Sequence, residues 1–492
     1  MERRNGDVGG AAGNGSGTAS GAGAGVGAGS AGAGSGAGGS GAAGAGTGAG
    51  ANLPALRSYN AALVLDLLRA AGDGGISRLE LAERTGLTPQ AVSKITARLR
   101  TEGMATEAGR RASTGGKPRT VLRLVPTAAY AVGLHLDRDE LTAVLVDLSG
   151  ALVAVRTAPL DLGAGAERVV ETAAVHVDAV RAEALRAGSV RAESVRAEPI
   201  RPESVRPEDV RAESVRASAR YGVRRDARPS GGAGAGSGAG AGAWPDDVPG
   251  VREPGARAVA VSGTWADGRP GVRDVLGVGV AMPGPLDHRT GVPGRVTGFP
   301  QWAGFPLREA LAARLQLPVV LDKDTNAAAL GLALRGSGDS FAYLHLGTGL
   351  GAGLVLGGAL HRGARTGAGE FGHQVIQLDG PSCDCGNRGC IEALCLAAVA
   401  RGEPAEAARV LGAGAANLVG LLDIDRVLLG GRTIAAHEEC FVRGVGAVVA
   451  ERARGAVVPV AAADGGPYPV AEGAAQLVLA PVFGHRRALE LG

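Results

Sequence analysis

Glu370-Phe371-Gly372-His373 and, after nine intervening residues, Cys383-Asp384-Cys385-Gly386-Asn387-Arg388-Gly389-Cys390-Ile391-Glu392 form the stretch whose reading decides the fold. Three thiolates and one imidazole make a closed tetrahedral donor set for zinc, and the glycines let the backbone turn tightly around an ion. Four protein ligands leave no open position for water, so the expected role of the metal at His373, Cys383, Cys385 and Cys390 is structural rather than catalytic. A lone cysteine is ordinarily a small buried hydrophobe, which is the reading for Cys395 and Cys440. Such clustering does not suit a disulfide framework.

Around this block lie short apolar runs typical of strands. They are Ala131–Leu136, Leu141–Asp147, Asp274–Ala281, Leu317–Leu321, Phe341–Leu346 and Arg426–Gly431, interleaved with helix candidates such as Gly165 to about Ala182. The pattern predicts an α/β domain of two lobes over 127–492, with a cleft large enough for a small ligand. It is interrupted at about 183–257 by a low-complexity insertion. There arginine recurs every fifth residue from 186 to 216, a period matching neither helix nor strand, and Pro199, Pro202 and Pro207 oppose a helix. These arginines alternate with glutamates, so a solvated insertion is favoured over a nucleic-acid-binding arm. Residues 1–51 are almost wholly Gly, Ala and Ser, with nothing to bury, and are expected to be a disordered tail.

Between them, residues 52–126 carry the signals of a winged helix-turn-helix. Ser77 and Glu80 form a capping box for Arg78–Arg84, and Gly86 suits a tight interhelical turn. Thr88-Pro89 restarts a helix whose Val92, Ile95 and Leu99 face inward. Its other face presents Gln90, Ser93, Lys94 and Ala97 toward base edges, with Pro89 at its start and Arg98 and Arg100 for phosphates. Arg110-Arg111-Ala112-Ser113-Thr114-Gly115-Gly116-Lys117-Pro118-Arg119 reads as a basic wing. Any one of these signals fits an ordinary αα-hairpin, but their order makes double-stranded operator DNA the expected partner.

The charge distribution agrees. The whole chain carries 51 basic and 48 acidic residues, whereas residues 52–126 hold twelve Lys/Arg against six Asp/Glu, with all the excess after Gln90. No run of eighteen strongly apolar residues is free of charge, and the N-terminus has no apolar signal core, so a cytoplasmic protein without membrane contact is expected.

The Glu370–Glu392 block resembles the ROK family (repressors, open reading frames and kinases), whose ExGH and CxCGxxGCxE patterns are both complete here. Val280–Pro285 and Asp324–Gly331 are similar to further family blocks, and the winged helix is similar to its repressor branch. The resemblance spans roughly Leu56 to Gly431 apart from the insertion. It implies an actin-like sugar-kinase fold, zinc on His373, Cys383, Cys385 and Cys390, and sugar hydroxyls met by Asp324, Glu370, His373 and Glu392. In family kinases the residue matching Asp324 is the general base.

Two departures qualify what the resemblance implies. The phosphate loop Asp-x-Gly-Gly-Thr is replaced by His135-Leu136-Asp137-Arg138-Asp139, which removes the glycine amides that cradle phosphate. Kinase activity is therefore not expected, and no residue is assigned a catalytic role. Gly347–Gly353 keeps a second Gly-rich loop, readable equally as a turn between strands. Lys323 stands where the family has a sugar-binding asparagine, and would pair with Asp324 or favour an acidic or phosphorylated sugar. The segment from Glu392 to Gly430 is also shorter than in the family, so the nucleotide side of the cleft is expected to be incomplete.

The expected function is a transcriptional regulator of the repressor type, a homodimer or dimer of dimers controlled by a sugar or sugar derivative. The alternative is a sugar kinase with an appended DNA-binding domain, in which Asp324 would be catalytic.

Overall fold

The computed structural model describes residues 53–111, 119–194, 275–452 and 457–485. The predicted tail therefore lies outside the described residues, as does most of the predicted insertion.

The chain opens with α1 (Leu53–Ala70), β1 (Ile76–Ser77), α2 (Arg78–Thr85), α3 (Pro89–Thr101), β2 (Ala105–Arg111) and β3 (Arg119–Leu124). The capping box forms as the sequence requires: Ser77 Oγ accepts from Glu80 N at 3.3 Å, and Ser77 N donates to Glu80 Oε2 at 2.8 Å. Gly86 ends α2 in the left-handed region at φ 68°, and Thr88 caps α3 with Pro89 at its first turn. Strands β1, β3 and β2 form a small antiparallel sheet. Leu81, Val92 and Leu99 are buried with α1's Val64, Leu65 and Leu68 in one apolar cluster.

The first lobe contains β4 (Tyr130–Leu136), β5 (Glu140–Asp147), β6 (Leu152–Pro159), α4 (Ala166–Ser194), β7 (Val275–Met282), β8 (Leu286–Asp287), β9 (Val292–Pro293), α5 (Leu307–Leu315) and β10 (Val319–Lys323). The second contains α6 (Asp324–Leu334), β11 (Phe341–Leu346), β12 (Leu350–Leu356), β13 (Ala359–Leu360), α7 (Ile391–Ala400), α8 (Pro404–Leu422), β14 (Arg426–Gly430), α9 (Arg432–Ala436), α10 (Glu438–Arg452) and β15 (Val460–Ala462). The last helix, α11 (Pro469–Leu479), returns to the first sheet.

The two lobes repeat one topology. Their sheets run β6-β5-β4-β7-β10 and β13-β12-β11-β14-β15. In each, the first three strands of the lobe form an antiparallel meander and the last two add in parallel. This is the two-lobed, actin-like arrangement expected. The near-continuous apolar runs of β4 and β7 follow from burial on both sheet faces. Helices α4 and α5 cover one face of the first sheet, and α7, α8 and α10 build the core of the second lobe. Helix α8 is long and apolar enough by composition to cross a membrane, but half of it is buried inside this core.

One expectation changes. Helix α4 does not stop near Ala182 but runs to Ser194, through Arg186 and Arg191 of the five-residue repeat. Ala, Glu, Arg and Leu are strong helix formers, and no proline intervenes before Pro199. Beyond Gly431, where the resemblance ends, α9, α10 and β15 complete the second lobe, and α11 packs on β4, β7 and α6. That approach demands glycine. A Cβ on Gly133 or Gly279 would lie 1.8 Å from the carbonyl oxygen of Ala471 or Ala474, and one on Gly473 would lie 2.0 Å from that of Ala327.

The far end of α11 and the turn after it reach the N-terminal helices. Ala475, Leu479 and Phe483 join the apolar cluster of α1 to α3, Arg69 lies 4.3 Å over the Phe483 ring, and His485 Nε2 meets Asp66 Oδ1 at 3.0 Å.

Candidate functional site

The strand ends of the first lobe aim at a cleft against the second, as in open α/β sheets generally. Lys323 ends β10, Asp324 begins α6, and the β4–β5 turn supplies Asp137, Arg138 and Asp139. From the other side come Glu370 and His373 in the loop after β13, and Glu392 in the first turn of α7. Lys323, Asp324, Glu370, His373 and Glu392 thus line one cavity of about 70 Å³, together with Thr297, Thr348 and Arg138.

Each group has a definite partner. Lys323 is buried, and its ammonium donates to Ala368 O and to Glu370 Oε1 at 3.1 Å. It therefore pairs with Glu370 and not, as its sequence neighbour suggested, with Asp324. Asp324 instead accepts from Thr325 N at 2.6 Å. Burial lifts its carboxyl to about 7, helped by the nearby carboxylates of Asp137 and Glu370 and opposed by the Thr325 amide and Lys323. Glu392 is buried and accepts from Leu350 N at 2.8 Å.

Beneath them a network invisible in the sequence fixes the end of β10. Asp322 receives Arg362 Nη2 at 2.6 Å, Asn326 Nδ2 at 2.8 Å and Lys323 N at 2.8 Å. Arg362 is fully enclosed with it, at 4 % exposure. No local pattern marks an arginine forty residues away as the counter-ion.

The sulfur and imidazole cluster assembles as one set. All four donor atoms of His373, Cys383, Cys385 and Cys390 lie within 4.8 Å of one another. Cys385 Sγ is 3.7 Å from Cys390 Sγ, and Cys383 Sγ is 3.7 Å from His373 Nδ1. Ligands held by a tetrahedral zinc through sulfur are about 3.8 Å apart, so the donor set fits that ion. Gly389, at φ 65°, lets the knuckle close, since a Cβ there would lie 1.6 Å from Gln377 O. With Nδ1 turned to the sulfurs, His373 Nε2 faces the cleft, 3.5 Å from Thr297 Oγ1.

On the far side of Asp137 lies a larger cavity of about 390 Å³, lined by His135, Glu140, Tyr343, His345, Arg432 and the start of α11. The β4–β5 turn beside it is held by side chains. Asp137 Oδ1 accepts from Thr348 Oγ1 at 2.9 Å, and Asp139 takes Arg432 Nη2 at 2.8 Å on both oxygens. These bonds tie the β4–β5 turn to the second lobe. The surviving Gly-rich segment is a tight β11–β12 turn, closed by Gly347 N to Gly349 O at 3.0 Å, that continues into strand. Burial pushes both His135 and His345 below the usual imidazole range, the latter to about 4.

In the N-terminal region α3 presents Pro89, Gln90, Ser93, Lys94 and Arg98 to solvent. Arg98 meets Glu102 at 3.6 Å and Arg100 meets Glu107 at 3.0 Å. Strands β2 and β3 form the predicted hairpin, with Arg111 directly opposite exposed Arg119 and Arg110 opposite Thr120. Lys117 lies outside the described residues.

Comparison with known proteins adds the following. Residues 266–400 match the ROK family, and residues 63–106 match a winged helix-turn-helix DNA-binding family. A glucokinase of Thermotoga maritima is 42% identical over 128 residues, 25% of this chain and 40% of its own. A xylose repressor of Caldicellulosiruptor bescii is 37% identical over 121 residues, 24% of this chain and 30% of its own. The chain thus spans well under half the length of these two. A kanosamine kinase of Amycolatopsis mediterranei is 32% identical over 215 residues, 37% of this chain and 69% of its own. The solved structure of a ROK family transcriptional regulator, a homolog of the E. coli MLC protein, has the same fold. Its TM-score is 0.57 at 18% identity, over 88% of this chain and 99% of that one.

Proposed function

The chain belongs to the ROK family, and from that premise we propose that it is a DNA-binding transcriptional repressor whose kinase-like cleft binds a sugar effector and whose Cys3His set holds a structural zinc. The observation that carries the reading is the replaced phosphate turn: Asp137 and Asp139 bind Thr348 and Arg432 where a kinase needs bare amides. The exposed polar face of α3 and the basic hairpin beside it support action on operator DNA in the cytoplasm. The relatives include a repressor as well as kinases.

In this account Glu370, Glu392 and Asp324 accept hydroxyl hydrogens of the sugar, and His373 Nε2 adds a contact oriented by its Nδ1. Lys323 holds the Glu370 carboxylate in place. The zinc, when bound, neutralises the thiolates and fixes the loop that carries Glu370 and His373. Sugar binding changes the closure of the lobes, and α11, packed on β4 and β7, together with the turn after it, whose Phe483 and His485 meet Arg69 and Asp66 of α1, carries that change to the recognition helices. A homodimer places two such helices on an inverted repeat.

The test is selection from a random DNA pool by the zinc-loaded full chain at physiological salt. An enriched inverted repeat is expected, and a pool without sequence preference would overturn the proposal. The kinase reading keeps one observation in its favour, the Asp324 carboxyl lifted to about 7 at the position of the general base. ATP-dependent ADP release that needs a sugar and vanishes in Asp324→Asn would establish it.

A further inference from the structure

The tip of the β4–β5 turn behaves differently from its neighbours. Asp137 and Asp139 are engaged by Thr348 and Arg432, but Arg138 between them enters the effector cavity, beside Asp324, His373 and Glu392. It is half-buried, and its guanidinium lies 5.9 Å from the Phe299 ring. Nη2 comes within 3.1 Å of the point where a side chain on Gly349 would begin, a point also 3.1 Å from Glu392 Oε2. Yet the guanidinium makes no hydrogen bond or ion pair to any described residue.

The other cations of the cleft are satisfied. Arg362 is held by Asp322, Arg432 by Asp139, and Lys323 by Ala368 O and Glu370. A partly desolvated guanidinium without an acceptor is unfavourable, and its planar fork matches the paired oxygens of a phosphate or carboxylate. The nearby carboxylates each take a donor other than Arg138: Asp137 from Thr348, Asp324 from the Thr325 amide, Glu370 from Lys323 and Glu392 from the Leu350 amide. The missing partner of Arg138 is therefore best supplied by the ligand.

We infer that the effector is an anionic sugar, a sugar phosphate or a sugar acid, whose charged group is received by Arg138 while its hydroxyls meet Glu370, His373 and Glu392. This deepens the proposal above and rests on its claim that the cleft binds a sugar. The turn residue that removes the phosphate cradle for ATP thereby becomes the element that reads the effector's charge, and Gly349 is required opposite it to leave the guanidinium room.

The test is calorimetric titration of the zinc-loaded full chain with matched sets: glucose, glucose 6-phosphate and glucuronate; N-acetylglucosamine and its 6-phosphate; xylose and xylonate; and inorganic phosphate. One anionic sugar should bind about 10- to 100-fold more tightly than its neutral parent, the range for a charge-assisted pair. In Arg138→Ala that ratio should fall to within about threefold, with zinc content and melting temperature retained as proof of folding, and Arg138→Lys should restore part of it. Which of the phosphate and carboxylate arms responds identifies the anion. Neutral parents binding as tightly as their charged derivatives, a ratio that survives Arg138→Ala, or inorganic phosphate matching the sugar phosphate would each overturn the inference while leaving a sugar effector standing. Failure of every sugar to bind would remove both.

Discussion

Replacing Asp324 by asparagine should flatten the pH dependence of stability in a calculable way. The carboxyl rises from 3.8 to about 7, chiefly through burial at the floor of the cleft, with Asp137 and Glu370 adding and Thr325 N and Lys323 subtracting. A folded-state value above the unfolded one means that the folded protein holds the proton longer. Stability from this group is then complete below about pH 4, declines as pH rises toward 7, and is lost above it. About three pH units at 1.36 kcal/mol each set a ceiling of about 4 kcal/mol. Urea unfolding of zinc-loaded wild type and Asp324→Asn between pH 4.5 and 8 measures the difference, in which protonation of the zinc ligands cancels because both proteins share it. The wild type should lose up to about 4 kcal/mol relative to the variant across that range. Parallel curves, or a wild type that gains on the variant as pH rises, would refute the assigned environment of Asp324.

Three further outcomes follow from particular contacts. Cys385→Ser should abolish stoichiometric zinc in metal analysis and lower stability by several kcal/mol in order of magnitude, because the loop bearing Glu370 and His373 loses its anchor. Gly279→Val should cost about 3 kcal/mol or more in chemical unfolding, since its Cβ would begin 1.8 Å from Ala474 O and force α11 off the sheet. Ser77→Ala should remove one half of the capping box and about 1 kcal/mol, read as a shift in the denaturation midpoint.

The local chemistry of this chain was legible because its signals are short in sequence. The capping box spans four residues, the metal set eighteen, and each strand run bounded itself with turns. The sequence also showed which residues of the phosphate turn were replaced, but not where they would go. Asp137 and Asp139 find their partners on the other lobe, and Arg138 turns into the cleft; such choices depend on a tertiary surface contributed by residues about 160 to 290 positions away. The same reason hid the Asp322–Arg362 pair, whose members sit in separate strands and loops. Helix α11 was missed because its fit comes from close backbone approach to Gly133 and Gly279, which no local pattern announces. Lys323 was recognised as a departure, yet its partner Glu370 emerged only when the loop was folded onto the end of β10.

The account stands most directly on whether the cleft controls DNA. Fluorescence anisotropy of the zinc-loaded full chain on its selected operator and on a scrambled duplex, at fixed physiological salt, with and without the panel of neutral and anionic sugars, measures this. The operator should bind at least about a thousandfold more tightly than the scrambled duplex, and one sugar should shift the operator affinity by about tenfold or more without changing the scrambled binding. Equal affinity for both duplexes, or operator affinity indifferent to every sugar that the cleft binds, would contradict it.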